Sequence, residues 1–154
     1  MDTITIEAGT DYIDPGATVS DNYCLPYVMP DLTGTVNSNL LGKYILTYNM
    51  TDCEGNVAKT MTRIVLVVDT KSPEIALIGH PVHKMIRYQQ FIEDGYTVSD
   101  NYWPLSQITV DTLSDYTSTS IAGMYYIQYQ ATDASGNVSF TEKRIILVSE
   151  FNSI

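Results

Sequence analysis

Apolar and polar residues alternate along most of this chain, and Tyr, Thr, Val and Ile dominate the alternating stretches. That pattern predicts half-buried β-strands, and no stretch sustains the stripe of about 3.6 residues that an amphipathic helix requires. Tyr44-Ile-Leu-Thr-Tyr48 and Tyr125 to Tyr129 are predicted strands, and Thr51 to Asn56 and Thr132 to Asn137 have the Asp, Gly and Asn content of tight hairpin turns. A long final strand is expected after each hairpin, over Val57 to Val68 and Val138 to Val148. Its inward phase slips by one near Arg63 and Arg144, which predicts a bulge there. Short strands spaced by about 8 to 12 residues, with turn chemistry between them, point to an antiparallel sandwich.

The pattern occurs twice. Gly16-Ala-Thr-Val-Ser-Asp-Asn-Tyr23 reads against Gly95-Tyr-Thr-Val-Ser-Asp-Asn-Tyr102, 79 residues further on. Gly42-Lys-Tyr44-Ile-Leu-Thr-Tyr48 matches Gly123-Met-Tyr125-Tyr-Ile-Gln-Tyr129, and Thr51-Asp52-Cys-Glu-Gly55-Asn56 matches Thr132-Asp133-Ala-Ser-Gly136-Asn137, both 81 residues apart. A period this long is that of whole domains in tandem, longer than the periods of solenoids. The reading is two domains, residues 1–69 and 73–149, joined by Asp69 to Ser72. The second opens with Pro73-Glu-Ile75-Ala-Leu77-Ile78-Gly79, predicted to be a first strand pairing at the sheet edge. Nothing in the first copy corresponds to it, because Ile4 and Ile6 already align with His83 and Met85. Domain 1 is therefore expected to carry an unpaired edge and an uncovered strip of core, unless the segment after Phe151 closes it.

The order Asp14-Pro15-Gly16-Ala17-Thr18, Ser20-Asp21-Asn22, Gly42-x-Tyr44-x-x-x-Tyr48 and Thr51-Asp52-x-x-Gly55-Asn56 resembles the bacterial immunoglobulin-like repeat of the pesticidal-crystal-protein type, a relative of the hyalin repeat. The resemblance covers nearly the whole chain, twice. It implies two tandem immunoglobulin-like antiparallel β-sandwiches, an all-β fold, and says little about function, since such repeats serve as spacers, adhesion modules and display modules. The second copy departs from the pattern with Glu93-Asp94 where the family has Asp-Pro. The residues themselves support the same fold. Tyr44 and Tyr125 each follow a Gly at the start of a core strand, where a tyrosine corner would tie the hydroxyl to upstream backbone. Leu46 and Ile127 stand where antibody domains keep an intersheet cysteine, so that disulfide is absent.

Length and composition fit this reading. The chain has 154 residues, 44% of them hydrophobic and 17% charged, enough apolar content for a core and too little charge for disorder. Its formal net charge of −10 repels nucleic acid and anionic membrane at long range. The longest aliphatic run, Ile64 to Val68, has five residues, and the N-terminus lacks a basic start followed by an apolar stretch, so neither a membrane span nor a secretion signal is read from the chain as given.

Candidate chemistry is sparse. Cys24 and Cys53 are the two cysteines, and their counterparts in the second copy are Trp103 and Ala134. Two medium residues replaced by one large and one small residue predict facing positions, Cys24 with Cys53 as a disulfide or packing pair and Trp103 with Ala134 as its equivalent. Asp21, Asp52, Glu54 and Asn56 offer oxygens, but their spacing is not that of a calcium loop, and turn hydrogen bonds explain them better. His80-Pro-Val-His83 reads as a turn, since zinc usually takes four ligands and no Cys lies nearby. The dozen tyrosines leave room for surface glycan contact. No catalytic motif is present, so the expectation is a protein that is not an enzyme, with no cofactor and no metal.

Two functions of different class follow. The preferred expectation is a virion component, a phage capsid decoration or head-fibre protein whose partner is a major capsid protein or another virion protein. An initiating Met at the edge of a strand, no signal sequence and a chain made only of the two modules favour it. The alternative is a spacer or adhesion module excised from a secreted bacterial cell-surface protein, placed outside the cell. Docking is expected on domain 1, through Thr3, Ile4, Thr5, Ile6 and Glu7 and along the strand that would border the absent one.

Overall fold

The computed structural model describes residues 2–24, 29–116 and 118–150, so the segment after Phe151 lies outside the described residues. Among the described residues every regular element is a strand except one 3-10 turn, Leu105–Gln107. The chain divides into unit 1, Met1–Asp69, and unit 2, Thr70–Ile154. Unit 1 holds β1 (Asp2–Glu7), β2 (Asp31–Thr33), β3 (Gly42–Asn49) and β4 (Met61–Val68) in one sheet of order β1-β4-β3-β2. Unit 2 holds β5 (Glu74–Leu77), β6 (Val82–Ile86), β7 (Tyr96–Ser99), β8 (Thr109–Ser114), β9 (Gly123–Thr132), β10 (Val138–Phe140) and β11 (Arg144–Ser149). There β8, β9, β11 and β6 form the counterpart of the unit 1 sheet, β10 pairs with β9, and β5 pairs with β7 in a second layer. Pairing is antiparallel except at two edges, where β1 runs parallel to β4 and β6 parallel to β11. In unit 2 the exception has a visible cause: the chain leaves β5 in one layer, turns at Gly79 with φ of 77°, and enters the other layer as β6.

Each core sits where the alternation places it. In unit 1, Leu46, Tyr48 and Val65 are buried, with Ile6, Tyr12, Val36 and Tyr44 packed against them. In unit 2, Ile127, Tyr129, Ile146 and Val148 are buried, with Ile75, Leu77, Met85 and Phe91 among those covering them. Tyr44 donates its hydroxyl proton to the Leu40 carbonyl at 2.8 Å and Tyr125 donates to that of Ile121 at 3.1 Å, so both tyrosine corners form as expected. Leu46 and Ile127 are buried side chains where antibodies have cysteine.

The expected bulges are present, and they interrupt the final strands. Gln130 and Ile127 are three steps apart on β9, while their partners Phe140 and Arg144 are four steps apart. In unit 1, Thr51 and Tyr48 are three steps apart against four for Val57 and Met61. One extra residue on one side is a bulge. The long strands Val57 to Val68 and Val138 to Val148 are therefore each broken, into an isolated bridge plus β4 and into β10 plus β11. Thr141 mends the second ladder locally: its amide donates to the Tyr129 carbonyl at 2.9 Å, and its hydroxyl accepts the Tyr129 N–H at 3.0 Å.

The shift in phase turns an arginine inward. Arg144, Ile146 and Val148 share the buried face of β11, and the Arg144 side chain is fully buried. Its Nε donates to Glu93 Oε1 at 2.7 Å, Nη1 to the His80 carbonyl at 2.6 Å, and Nη2 to the carbonyls of Ile78 at 2.7 Å and Gly95 at 3.0 Å. Unit 1 repeats the node with Arg63, which donates to Asp2 Oδ2 at 2.8 Å, to Asp14, to the Tyr48 hydroxyl at 2.7 Å and to the Gly16 carbonyl at 3.0 Å. Tyr48 passes its own proton to Asp14 at 2.8 Å. The glycine in each node has a positive φ, 77° at Gly16 and 86° at Gly95, which aims its carbonyl at the guanidinium and excludes a side chain without strain. The departure Glu93-Asp94 leaves the node intact, because Glu93 takes the carboxylate's place.

The electrostatics follow from these contacts. Burial pushes the Tyr48 phenol up, with help from the hydrogen bond to Asp14, to about 12, so it stays a donor. At Asp14 burial acts upward too, but hydrogen bonds from Tyr48, Arg63 and Tyr12 outweigh it and hold the carboxyl below its ordinary value.

Two outcomes are expected. Arg144→Ala removes the guanidinium that serves Glu93 and the carbonyls of Ile78, His80 and Gly95 inside the fold, and should destabilise unit 2 by about 3–5 kcal/mol in denaturant titrations read by the fluorescence of Trp103, the single tryptophan. For Asp14 the folded pKa is depressed, so its contribution is complete above the ordinary carboxylate range of about 4 and is lost as pH falls through the lower folded value. Unit 1 should therefore lose stability in that acid window, and Asp14→Asn should remove that part of the pH dependence.

Candidate functional site

In each unit one Asp shapes the loop before the second half of the sandwich. Asp21 Oδ1 accepts the N–H groups of Tyr23 and Cys24, and Asp100 Oδ1 those of Tyr102 and Trp103. A second Asp shapes each hairpin: Asp52 Oδ1 accepts from the amides of Glu54 and Asn56, and Asp133 Oδ1 from that of Asn137. These bonds to the ionised form hold the Asp52 carboxyl below its ordinary value, the Asn56 side-chain bond first among them. Asp21, Asp52 and Asn56 are thus engaged in turn backbone, the role the sequence favoured. In unit 2 the nearest carboxylate oxygens of Asp100 and Asp133 come within 4.8 Å of one another.

The two turns of unit 1 bring Cys24 and Cys53 together in a disulfide, with alpha carbons 5.8 Å apart. In unit 2 the indole N–H of Trp103 donates to Ser135 Oγ at 2.8 Å, beside Ala134 in the hairpin. Both histidines border the Arg144 node: the His80 carbonyl accepts from Nη1, and His83 Nε2 in β6 lies 3.4 Å from the same nitrogen and 3.4 Å from Asp94 Oδ2, with its ring edge-on to Phe91 at 5.4 Å.

The residues expected to dock form β1. Its partner among the described residues is β4, in parallel register from Asp2 on Arg63 to Glu7 on Val68, which leaves the other side of β1 as the sheet edge. Ile4 and Ile6 are half-buried and Thr3 and Thr5 exposed, as alternation requires. Strand β6 is an edge in the same way, so an open β1 does not by itself set unit 1 apart. What does is the second layer. Ala17 to Ser20 align with β7, yet no strand of unit 1 pairs with them among the described residues. Beside them lies a groove of about 220 Å³, lined by Ala17 to Ser20, by Pro30, by Tyr48 to Met50 and by Ala58, Lys59 and Met61. The sequence pointed to Ala17 to Ser20 through the absent strand. Ala58, Lys59 and Met61 were missed, although the repeat alignment, which sets Ala58 to Met61 against Ser139 to Glu142, contained them.

Reduction of the disulfide tests how much unit 1 depends on it. For a loop of 29 residues the entropy argument gives about 3–4 kcal/mol. The unfolding midpoint of unit 1 should fall accordingly on reduction or in Cys24→Ser/Cys53→Ser, while the Trp103 transition of unit 2 stays in place.

Residues 1–67 match the family of bacterial surface proteins described as an Ig-like domain. An 81.3 kDa protein of Acholeplasma phage L2 is 32% identical over 139 residues, which are 86% of this chain and 19% of the phage protein. The chain thus spans about a fifth of that relative's length. Among solved structures, a lipoprotein of Bacteroides thetaiotaomicron is 18% identical with a TM-score of 0.40, over 50% of this chain and 37% of that one. The CbhA fibronectin(III)-like modules of Clostridium thermocellum are 16% identical with a TM-score of 0.41, over 96% of this chain and 90% of theirs. With a family match on its first unit and strands throughout the described residues of its second, this is an all-β protein whose residues 1–67 resemble the Ig-like domain of bacterial surface proteins.

Proposed function

We propose that the chain is a non-enzymatic structural and display protein of a virion, of the capsid-decoration or head-fibre kind, and that unit 1 carries its docking face. The observation that carries this reading is the 32% identity to a phage protein across 86% of the chain. The partner is a protein of the particle, a major capsid protein before others, met through β1 at Thr3 to Glu7 and the groove beside Ala17 to Ser20. The net charge of −10 argues against nucleic acid or an anionic membrane as the surface it meets. Among the described residues no helix is long and apolar enough to cross a membrane. Surface glycan contact through exposed tyrosines such as Tyr23 and Tyr88 is compatible with display. The finer family assignment, to the pesticidal-crystal-protein type of repeat, belongs to this reading and rests on the quoted motifs.

A second reading is favoured by the family match itself, whose description is of a bacterial surface protein. In it the chain is a spacer or adhesion module outside the cell. Antibody against the chain separates the two. Density-purified particles from the producing culture should carry the antigen at a fixed ratio to capsid protein, and immunogold should decorate the particle surface. Antigen confined to the bacterial envelope, with clean particles, would sink the virion reading and leave the second.

A further inference from the structure

The turn that follows β6 carries a residue its backbone disfavours. Among the described residues Tyr88 is the single non-glycine with a positive φ, at 68°. Unit 1 makes the same turn with Gly9, which stands 79 residues earlier and has a φ of 77°. The hydrogen bonds repeat as well. The Gly9 amide donates to the Ser38 carbonyl at 2.8 Å and that of Tyr88 to the Thr119 carbonyl at 3.0 Å, while the amides of Thr10 and Gln89 close the turns onto Glu7 and Ile86, both at 3.2 Å. Glycine is the residue this backbone favours, and a side chain there is strained. Packing does not repay the strain: a β-carbon at Gly9 would meet nothing within 4 Å, and Tyr88 is 76% exposed.

The exposed ring is nevertheless held in place. Arg87 stands where unit 1 has the buried Ala8, and it donates from Nε to the Ser120 carbonyl at 2.8 Å and from Nη1 to Glu150 Oε1 and Oε2 at 3.2 and 3.0 Å. Fixed in this way, the guanidinium lies over the Tyr88 ring, 5.0 Å from its centroid, and donates from Nη2 to the phenol oxygen at 2.9 Å. The cation takes one face of the ring and leaves the other to solvent. Because the phenol accepts from Arg87, its own O–H remains to be donated. Polar groups neighbour it along the two loops: Ser118 and Ser120, with hydroxyls 2.6 Å apart, and Gln89, whose Oε1 accepts the Ile86 amide at 2.9 Å.

We propose that the Tyr88 ring is a stacking platform for a neutral hexose unit of a surface glycan. The C–H face of the sugar lies on the open face of the ring, and its hydroxyls meet the Tyr88 O–H and the polar groups of Ser118, Ser120 and Gln89. The proposal rests on the reading that exposed tyrosines of this chain contact glycan, and assigns that contact to one of them. Strain without burial, at a side chain that is still locked in place, is the pattern of a residue kept for contact. The ligand class follows from the chemistry. A tyrosine ring pairs an apolar face with a polar edge, and a pyranose does the same. Glu150 takes up the charge of Arg87, and the net charge of −10 opposes an acidic sugar, so neutral sugars are selected. A protein hot spot calls for a surround that excludes water, whereas the side chains bonded into this turn are those of Arg87, Gln89, Ser118, Ser120 and Glu150. A ring immobilised beforehand loses little freedom on binding.

The test uses the full chain, with the methyl glycosides of glucose, galactose and N-acetylglucosamine as probes in saturation-transfer NMR. At least one glycoside should receive saturation on the protons of one ring face, with saturable binding. Tyr88→Gly, which restores the residue that unit 1 uses, should weaken that binding at least tenfold, while the unfolding midpoint of unit 2, read by Trp103 fluorescence, stays level or rises. Binding that survives Tyr88→Gly and is lost in Tyr23→Ala would overturn the platform and keep the glycan reading. No transfer to any of the three glycosides would remove both. A lowered midpoint in Tyr88→Gly would make Tyr88 a structural residue and overturn the platform. None of these outcomes bears on the particle assay, which decides the virion reading by itself.

Discussion

A guanidinium near the start of β4 and of β11, fully buried in unit 2 and largely buried in unit 1, organises both units. Its cost is large, since a charge taken out of water loses several kcal/mol of hydration, and the fold offsets it with a carboxylate and a set of backbone carbonyls. At Arg144 the acceptors are Glu93 and the carbonyls of Ile78, His80 and Gly95. Those acceptors come from three successive parts of unit 2: the end of β5, the turn into β6, and the approach to β7. One side chain thus fixes where the chain changes layers. In unit 1, Arg63 performs the same task with Asp14, Tyr48 and Gly16, and takes Asp2 from the start of β1 in place of the carbonyls that a preceding strand supplies in unit 2.

The bulge and the arginine depend on each other. Without the extra residue between Phe140 and Arg144, the side chain at position 144 would face outward, and the alternation would bury its neighbours instead. With it, the arginine occupies the first inward position of the strand and the aliphatic residues Ile146 and Val148 follow on the same face. The tyrosine corners act at the opposite end of the same strand pair, closing the turn before β3 and β9. Each sheet is therefore held by polar contacts at both ends and by apolar packing between them.

Against that common frame unit 2 carries three strands, β5, β7 and β10, that the described residues of unit 1 do not repeat as strands. Unit 2 has a second layer in which β5 completes the pairing of β7; unit 1 has the residues of that layer and the groove, without a strand in it among the described residues. The disulfide Cys24–Cys53 lies in unit 1, where it ties the loop after Ala17 to Ser20 to the hairpin. In unit 2 the same loops are joined by the indole hydrogen bond of Trp103.

The sequence by itself determined the strand class, the duplication, the hairpins, the tyrosine corners and the bulge, because each of these is a local matter: alternation, turn chemistry and a one-residue slip are all written within a few positions. It also placed Cys24 near Cys53, through the exchange with Trp103 and Ala134. Only the tertiary structure decided that Arg63 and Arg144 point inward, that β1 and β6 run parallel to their neighbours, and that Lys59 and Met61 line one groove with Ala17 to Ser20. The repeat alignment kept an acid at Asp14 and Glu93 and a base at Arg63 and Arg144, so the signal for the ion pair was there, but charge type along a chain carries no distance. Partners separated by about fifty residues become partners only when the layers close, and it is that closure, through desolvation, which turns a surface-like pair of charges into the fixed point of the fold.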